Sequence, residues 1–163
     1  MMPSGGNAGW ILLLLAVVAA AIVFAKKNHA RGALPAATAA GTVALVSGLI
    51  TMGLAGAHLV VVLMVALGRS PLVYDFRLYS LVLLGVLLGG LALVLALAAP
   101  GVARGDSSLL RRTRNTALML LAINVPLAPI QGFAILLCVL AAVTLIALFI
   151  AAQRGGADTA GVS

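Results

Sequence analysis

The stretch "YSLVLLGVLLGGLALVLALAAPG", residues 79–101, decides the fold class, because it is apolar and uncharged along nearly its whole length. A helix that crosses the hydrocarbon core of a bilayer needs about 20 predominantly apolar residues, and this run supplies them. We therefore predict a transmembrane helix over residues 79–99, which stops at Pro100-Gly101.

The composition of the whole chain extends this prediction. Hydrophobic residues make up 64% of the 163 residues and charged residues 8%, whereas a soluble domain averages about 45–50% apolar and about 25% charged. Folding in water cannot hide that much apolar surface. We predict an all-α polytopic transmembrane bundle, formed by residues 1–163 as a single integral-membrane domain.

Apolar runs upstream of residue 79 predict two further spans, at residues 9–25 and 41–67. The region downstream of residue 115 is too long for one span, and it is interrupted by "NVPLAPIQG", residues 124–132. Two prolines there disfavour a straight helix. We predict a short inserted helix before the break and a fourth full span after it, with five spans as the alternative. The predicted segments are the inserted helix at 115–125, the span at 130–152 and a flexible tail at 153–163.

Basic residues orient the bundle. The net charge is +7, and these charges lie beside apolar runs, where they meet lipid headgroups rather than nucleic acid. Cytoplasmic loops at 26–40 and 100–114, with the N-terminus outside, obey the positive-inside rule. In the five-span alternative Arg154 joins that side. The Ala- and Arg-rich composition favours the plasma membrane of a bacterium. The two loops hold seven of the ten basic residues: Lys26, Lys27, Arg31, Arg104, Arg111, Arg112 and Arg114.

The external loop of this topology gathers rare side chains in "SPLVYDFRLYS", residues 70–80. One interpretation is an aromatic belt at the membrane–water interface, with a weak surface ion pair between Asp75 and Arg77. The other is a docking epitope for a partner subunit, because Tyr and Arg are typical interface anchors. Its candidate residues are Tyr74, Asp75, Phe76, Arg77 and Tyr79.

His58 is an ionisable residue inside the second predicted span. Such residues in membranes are rare and suggest function. We weigh three roles for its imidazole: a hydrogen bond across a helix interface, a proton relay, and ligation of haem or a pigment. The third makes His58 the candidate cofactor-binding residue, although the sequence requires no cofactor.

Two further sets of residues are candidates. Gly85 and Gly89 form a GxxxG spacing, which lets helices approach closely within the bundle or against another subunit. Around the proline break, amide side chains can satisfy freed backbone groups or line a substrate path. The residues of this possible gate are Asn124, Pro126, Pro129 and Gln131.

No catalytic constellation or metal-ligand motif is recognisable, and Cys138 is a lone cysteine in an apolar run. We therefore predict a non-catalytic membrane subunit or scaffold, which packs against larger membrane subunits. The first alternative is a small oligomeric channel or transporter that uses the Pro126/Pro129 break. The second is a pigment-, haem- or lipid-binding membrane protein that uses His58.

Overall fold

The computed structural model describes residues 5–68, 77–129 and 132–160, and within these ranges the chain is helical and contains no strand. The predicted all-α class is confirmed. The described helices are α1 (Gly5–His29), α2 (Pro35–Ala66), α3 (Arg77–Ala103), α4 (Ser107–Asn124) and α5 (Gly132–Ala160).

Four of these helices are long and apolar enough to cross a membrane, which supports the membrane-embedded bundle. The apolar segments are Ile11–His29, Pro35–Ala66, Val82–Ala103 and Gly132–Arg154. Helix α4 differs from the others because it is amphipathic: Thr113, Ala117 and Leu120 are buried, whereas three arginines are exposed.

The bundle is centred on α2 and α3, which make the most extensive contact. Helix α5 packs on α2 and α4, α4 also packs on α3, and α1 packs on α2. One apolar core joins four helices through Ala55, Leu88, Leu120 and Leu137.

A second apolar core shows the direction of the helices. In it, Ala40 of α2 and Val102 of α3 pack with Leu148 of α5, and Leu109 of α4 packs against them. The start of α4 therefore meets the ends of α3 and α5, so α4 runs antiparallel to both. Arg154 consequently lies at the same end of the bundle as the α1–α2 and α3–α4 connections.

Helix α3 continues one turn beyond the predicted stop at Pro100-Gly101 and ends at Ala103. Pro100 lacks an N–H, but the last turn is closed by a Schellman motif. In it, Gly105 N–H donates to the Val102 carbonyl at 2.9 Å and Asp106 N–H donates to the Gly101 carbonyl at 3.0 Å. Gly105 has φ +80°, a conformation that glycine adopts without steric cost.

Helix α4 begins at Ser107, eight positions before the predicted inserted helix at 115–125, because Asp106 caps it. The Asp106 carboxylate accepts hydrogen bonds from the backbone N–H of Ser108 at 2.9 Å and of Leu109 at 3.3 Å. The 18 residues of α4 span about 27 Å at 1.5 Å per residue. Helix α4 is therefore longer than the predicted inserted helix, but it is not one of the four helices that are apolar enough to cross a membrane.

Candidate functional site

The small residues that the sequence offers for close packing meet between α2 and α3. A Cβ atom built on Gly48 would lie 2.8 Å from the Ala92 carbonyl oxygen and 2.9 Å from the Ala96 nitrogen. A Cβ on Gly41 would lie 2.7 Å from the Ala99 carbonyl oxygen. The two backbones approach this closely because these positions lack side chains.

Gly85 and Gly89, the candidates for contact with another subunit, face α2 of the same chain. A Cβ on Gly85 would lie 2.8 Å from Leu59 Cδ2, and one on Gly89 would lie 3.8 Å from Ala55 Cβ. This side of α3 is therefore occupied within the chain. The small residue at position 85 makes room for side chains of α2.

His58 lies half-buried where α2, α3 and α5 meet. Its ring centroid is 6.1 Å from that of Phe133, with the planes inclined by 58°. On the α3 side, its Cδ2 atom lies 3.3 Å from the position that a Cβ on Gly85 would take. The ring thus packs between helices, in the geometry of an interface histidine.

Asn124 is fully buried at the end of α4. Its Nδ2 atom donates to the Leu120 carbonyl at 2.7 Å, which fixes the orientation of the amide. Its Oδ1 atom is buried and has no hydrogen-bond partner. A buried acceptor without a partner is uncommon, because its desolvation is not compensated. The Thr38 Oγ1 atom of α2 is likewise buried without a partner, so Asn124 is one of two such groups in the described interior.

The proline break forms the turn between α4 and α5. Pro126 and Pro129 both lie in the turn at 125–129, and both are exposed. The Asn124 carbonyl closes the turn by accepting from Leu127 N–H at 3.1 Å and Ala128 N–H at 2.9 Å. The prolines separate two helices and do not kink one helix.

Most of the predicted external epitope lies outside the described residues. Arg77 and Tyr79 lie in the first turn of α3. Outside the described residues lie Tyr74, Asp75, Phe76 and Gln131.

Several interior hydroxyl groups are hydrogen-bonded within a helix or between helices. Ser47 of α2 and Thr144 of α5 are hydrogen-bonded at 2.8 Å, and Thr144 also donates to the Leu140 carbonyl at 2.7 Å. Thr113 and Thr116 of α4 each donate to the carbonyl four residues earlier. Among the described residues, no group of three or more metal-ligating side chains occurs.

A groove of about 590 Å³ between α4 and α5 is the feature that sequence reasoning missed. Its walls are apolar, and its polar rim comes from α4 alone: Ser107, Arg111 and Arg114. The spacing of four and three residues places these side chains on one face of a helix. That spacing is the available sequence signal, but a helix predicted to begin at residue 115 leaves these arginines in a loop.

The electrostatics of this end are dominated by arginine. Among the residues whose side chains the structure describes, Asp106 is the only acidic one, and its carboxylate is engaged in capping α4. The Ser108 hydroxyl donates to it at 2.8 Å. This hydrogen bond, followed by those from Leu109 N–H and Ser108 N–H, lowers the pKa of Asp106 below its usual value.

Comparison with known proteins yields no match among family models, curated proteins or solved structures. The geometry of the bundle is thus the basis for a functional proposal.

Proposed function

We propose that this chain is a non-catalytic integral-membrane subunit or scaffold, which packs against larger subunits of a membrane complex. The observation that carries the proposal is the outward face of α4. Arg112 and Asn115 are exposed there, beside helices that are otherwise apolar. They do not line the groove toward α5, so this face points away from the bundle.

Arg112 lies at a depth where exposing its guanidinium group to lipid is unfavourable in free energy. Arg112 lies three residues inward from Leu109, which packs with Val102 at the end of α3. That is about 4.5 Å along the helix axis, and Asn115 lies about 9 Å inward. A guanidinium that enters a bilayer must snorkel to the headgroups or find a partner.

Among the side chains that the structure describes, few can pair with Arg112. Asp106, the one described carboxylate, caps its own helix and is exposed in the α3–α4 connection. A second membrane subunit that presents a carboxylate and an amide to α4 would satisfy Arg112 and Asn115 together. The predicted external epitope at Tyr74–Tyr79 would add a contact at the opposite end.

The described interior also favours a structural role. One described polar pair joins two helices, because Ser47 of α2 is hydrogen-bonded to Thr144 of α5. Close contact between α2 and α3 at Gly48 leaves no space between those backbones. We place this scaffold in a bacterial plasma membrane, with its N-terminus outside and its arginine-rich end in the cytoplasm.

The test is purification of the tagged protein in mild detergent from its native membrane, with co-purifying proteins quantified by mass spectrometry. We expect larger membrane subunits in fixed stoichiometry with the wild type. The double variant Arg112→Gln/Asn115→Leu should lose them. The matched control Arg154→Gln removes an exposed arginine at the same end and should keep them. A homogeneous, partner-free wild-type species would refute the proposal.

One observation favours a second candidate, the small channel or transporter. The Asn124 Oδ1 atom is buried without a partner next to the turn that holds Pro126 and Pro129. A free carbonyl oxygen at such a site can bind a permeating ion or water. Flux through liposomes that contain the pure protein, lost in Asn124→Leu, would support this candidate over the scaffold. A visible absorbance band in the same preparation would instead direct attention to His58.

A further inference from the structure

We propose that the groove between α4 and α5 binds an anionic membrane phospholipid. Arg111 and Arg114 bind its phosphate, and the apolar walls of the groove contact one acyl chain. The inference goes beyond the proposed scaffold function. It concerns the side of α4 that faces α5, whereas the proposed subunit contact uses Arg112 on the outward face.

The walls of the groove suit an acyl chain. Leu110 of α4 and Leu145, Ile146 and Phe149 of α5 line it. Ile146 and Phe149 are 59% and 63% exposed, so their apolar surface remains uncovered by protein. The volume of about 590 Å³ lies within the range of about 300–1,000 Å³ that is typical of small-molecule sites.

The rim of the groove suits a phosphate. Arg111 and Arg114 are exposed and border the same groove, with Ser107 one turn before Arg111. Guanidinium groups bind phosphate oxygens through paired, charge-assisted hydrogen bonds. A serine hydroxyl can donate a further hydrogen bond to the same anion.

Charge complementarity selects an anionic ligand. The described side chains contain one carboxylate, Asp106, and it accepts hydrogen bonds from Ser108 and Leu109. The groove therefore carries positive charge that Asp106 does not neutralise. Basic pockets between transmembrane helices at the cytoplasmic side are typical sites for anionic headgroups.

The combination of rim and walls favours a phospholipid over free phosphate. Ser107 and Arg111 lie at the start of α4, opposite Ala152 of α5, so the outer part of the charged rim is at the end of the bundle. Arg114 lies two turns inward of Ser107, and its long side chain can extend back toward Arg111. Leu145 lies two turns inward of Ala152. A ligand with its anion at the headgroup level and its chain in the hydrocarbon matches this order.

The first experiment is native mass spectrometry of the full chain in detergent, with phosphatidylglycerol or phosphatidylcholine added at equal concentration. We expect one phosphatidylglycerol per chain to be retained in preference to phosphatidylcholine. The variant Arg111→Gln/Arg114→Gln should reduce this retention about tenfold or more. The matched control Arg112→Gln removes an arginine from the same helix and should retain the lipid as the wild type does.

A second variant tests the apolar walls with the arginines intact. Ala152→Trp fills the groove and should also reduce retention, whereas Ile150→Trp, which lies outside the groove, should not. All variants are compared as monodisperse species by size-exclusion chromatography. Equal retention of the two lipids, displacement by equimolar inorganic phosphate, or an equal loss in Arg112→Gln would overturn the proposal. Each of these outcomes leaves the subunit contact at Arg112 and Asn115 to its own test.

Discussion

Between α2 and α3 the backbones meet where Gly41 and Gly48 lack side chains, whereas between α4 and α5 larger side chains border an open groove. Both are contacts between neighbouring helices of one bundle. The first gains van der Waals contact by close approach, which is the main source of helix association in lipid. The interface between α4 and α5 has less of this close contact because its groove stays open, and Arg111 and Arg114 remain accessible there. The contrast separates a part of the molecule built for stability from a part available for binding.

The largest expected effect comes from breaking the tight interface with Gly48→Ala. The new Cβ would meet the Ala92 carbonyl oxygen at 2.8 Å, and backbone atoms cannot move aside as a flexible side chain can. We expect the free energy of unfolding to fall by about 1–3 kcal/mol, measured by denaturant titration in detergent micelles. Gly56→Ala on the same helix has no atom within 4 Å of its Cβ and should not destabilise. Equal effects of both variants would contradict the close-packed interface.

A smaller effect, of opposite sign, is expected from Asn124→Leu on the inner face of α4. The change removes a buried acceptor that has no partner and should raise the free energy of unfolding by about 1 kcal/mol. The same titration measures it. Asn115→Leu, at an exposed position of α4, should change stability by less than about 0.5 kcal/mol. Destabilisation by Asn124→Leu would mean that Oδ1 is satisfied in the folded protein.

The hydrogen bond between Ser47 and Thr144 should contribute less. A double-mutant cycle with Ser47→Ala and Thr144→Val should give a coupling free energy of about 0.6 kcal/mol, the average for such bonds in membranes. The control cycle pairs Ser47→Ala with Thr113→Val, because the Thr113 hydroxyl bonds to its own helix at Leu109. Coupling in the control as large as in the test cycle would contradict a direct α2–α5 bond.

The smallest effect concerns the cap that sets where α4, and hence the groove, begins. Hydrogen bonds lower the pKa of Asp106 in the folded state. The stabilisation is therefore present above the unfolded pKa and is lost as the pH falls through the folded pKa. Wild type should exceed Asp106→Ala in thermal midpoint at neutral pH, and the difference should shrink toward about pH 3. A difference that is independent of pH would exclude a role for the carboxylate charge.

The sequence by itself determined the all-α membrane bundle and the segments that form its apolar helices. Runs such as residues 79–99 specify helices on their own, because in lipid every backbone polar group must be satisfied within the segment. The spacing of Gly85 and Gly89 likewise indicated a close helix contact. It could not say which helix fills that contact, because the partner is distant in sequence.

Only the tertiary structure decided which candidates come together. In the folded chain, Gly85 and Gly89 face α2, and His58 packs against Phe133 of α5. The Asn124 Oδ1 atom has no hydrogen-bond partner there. The tertiary structure also extended α4 back to Ser107, so that arginines interpreted as loop charges became the rim of a groove. These outcomes depend on how helices with similar apolar surfaces pack. Composition and periodicity do not encode that choice, because in lipid the apolar effect does not distinguish one helix face from another.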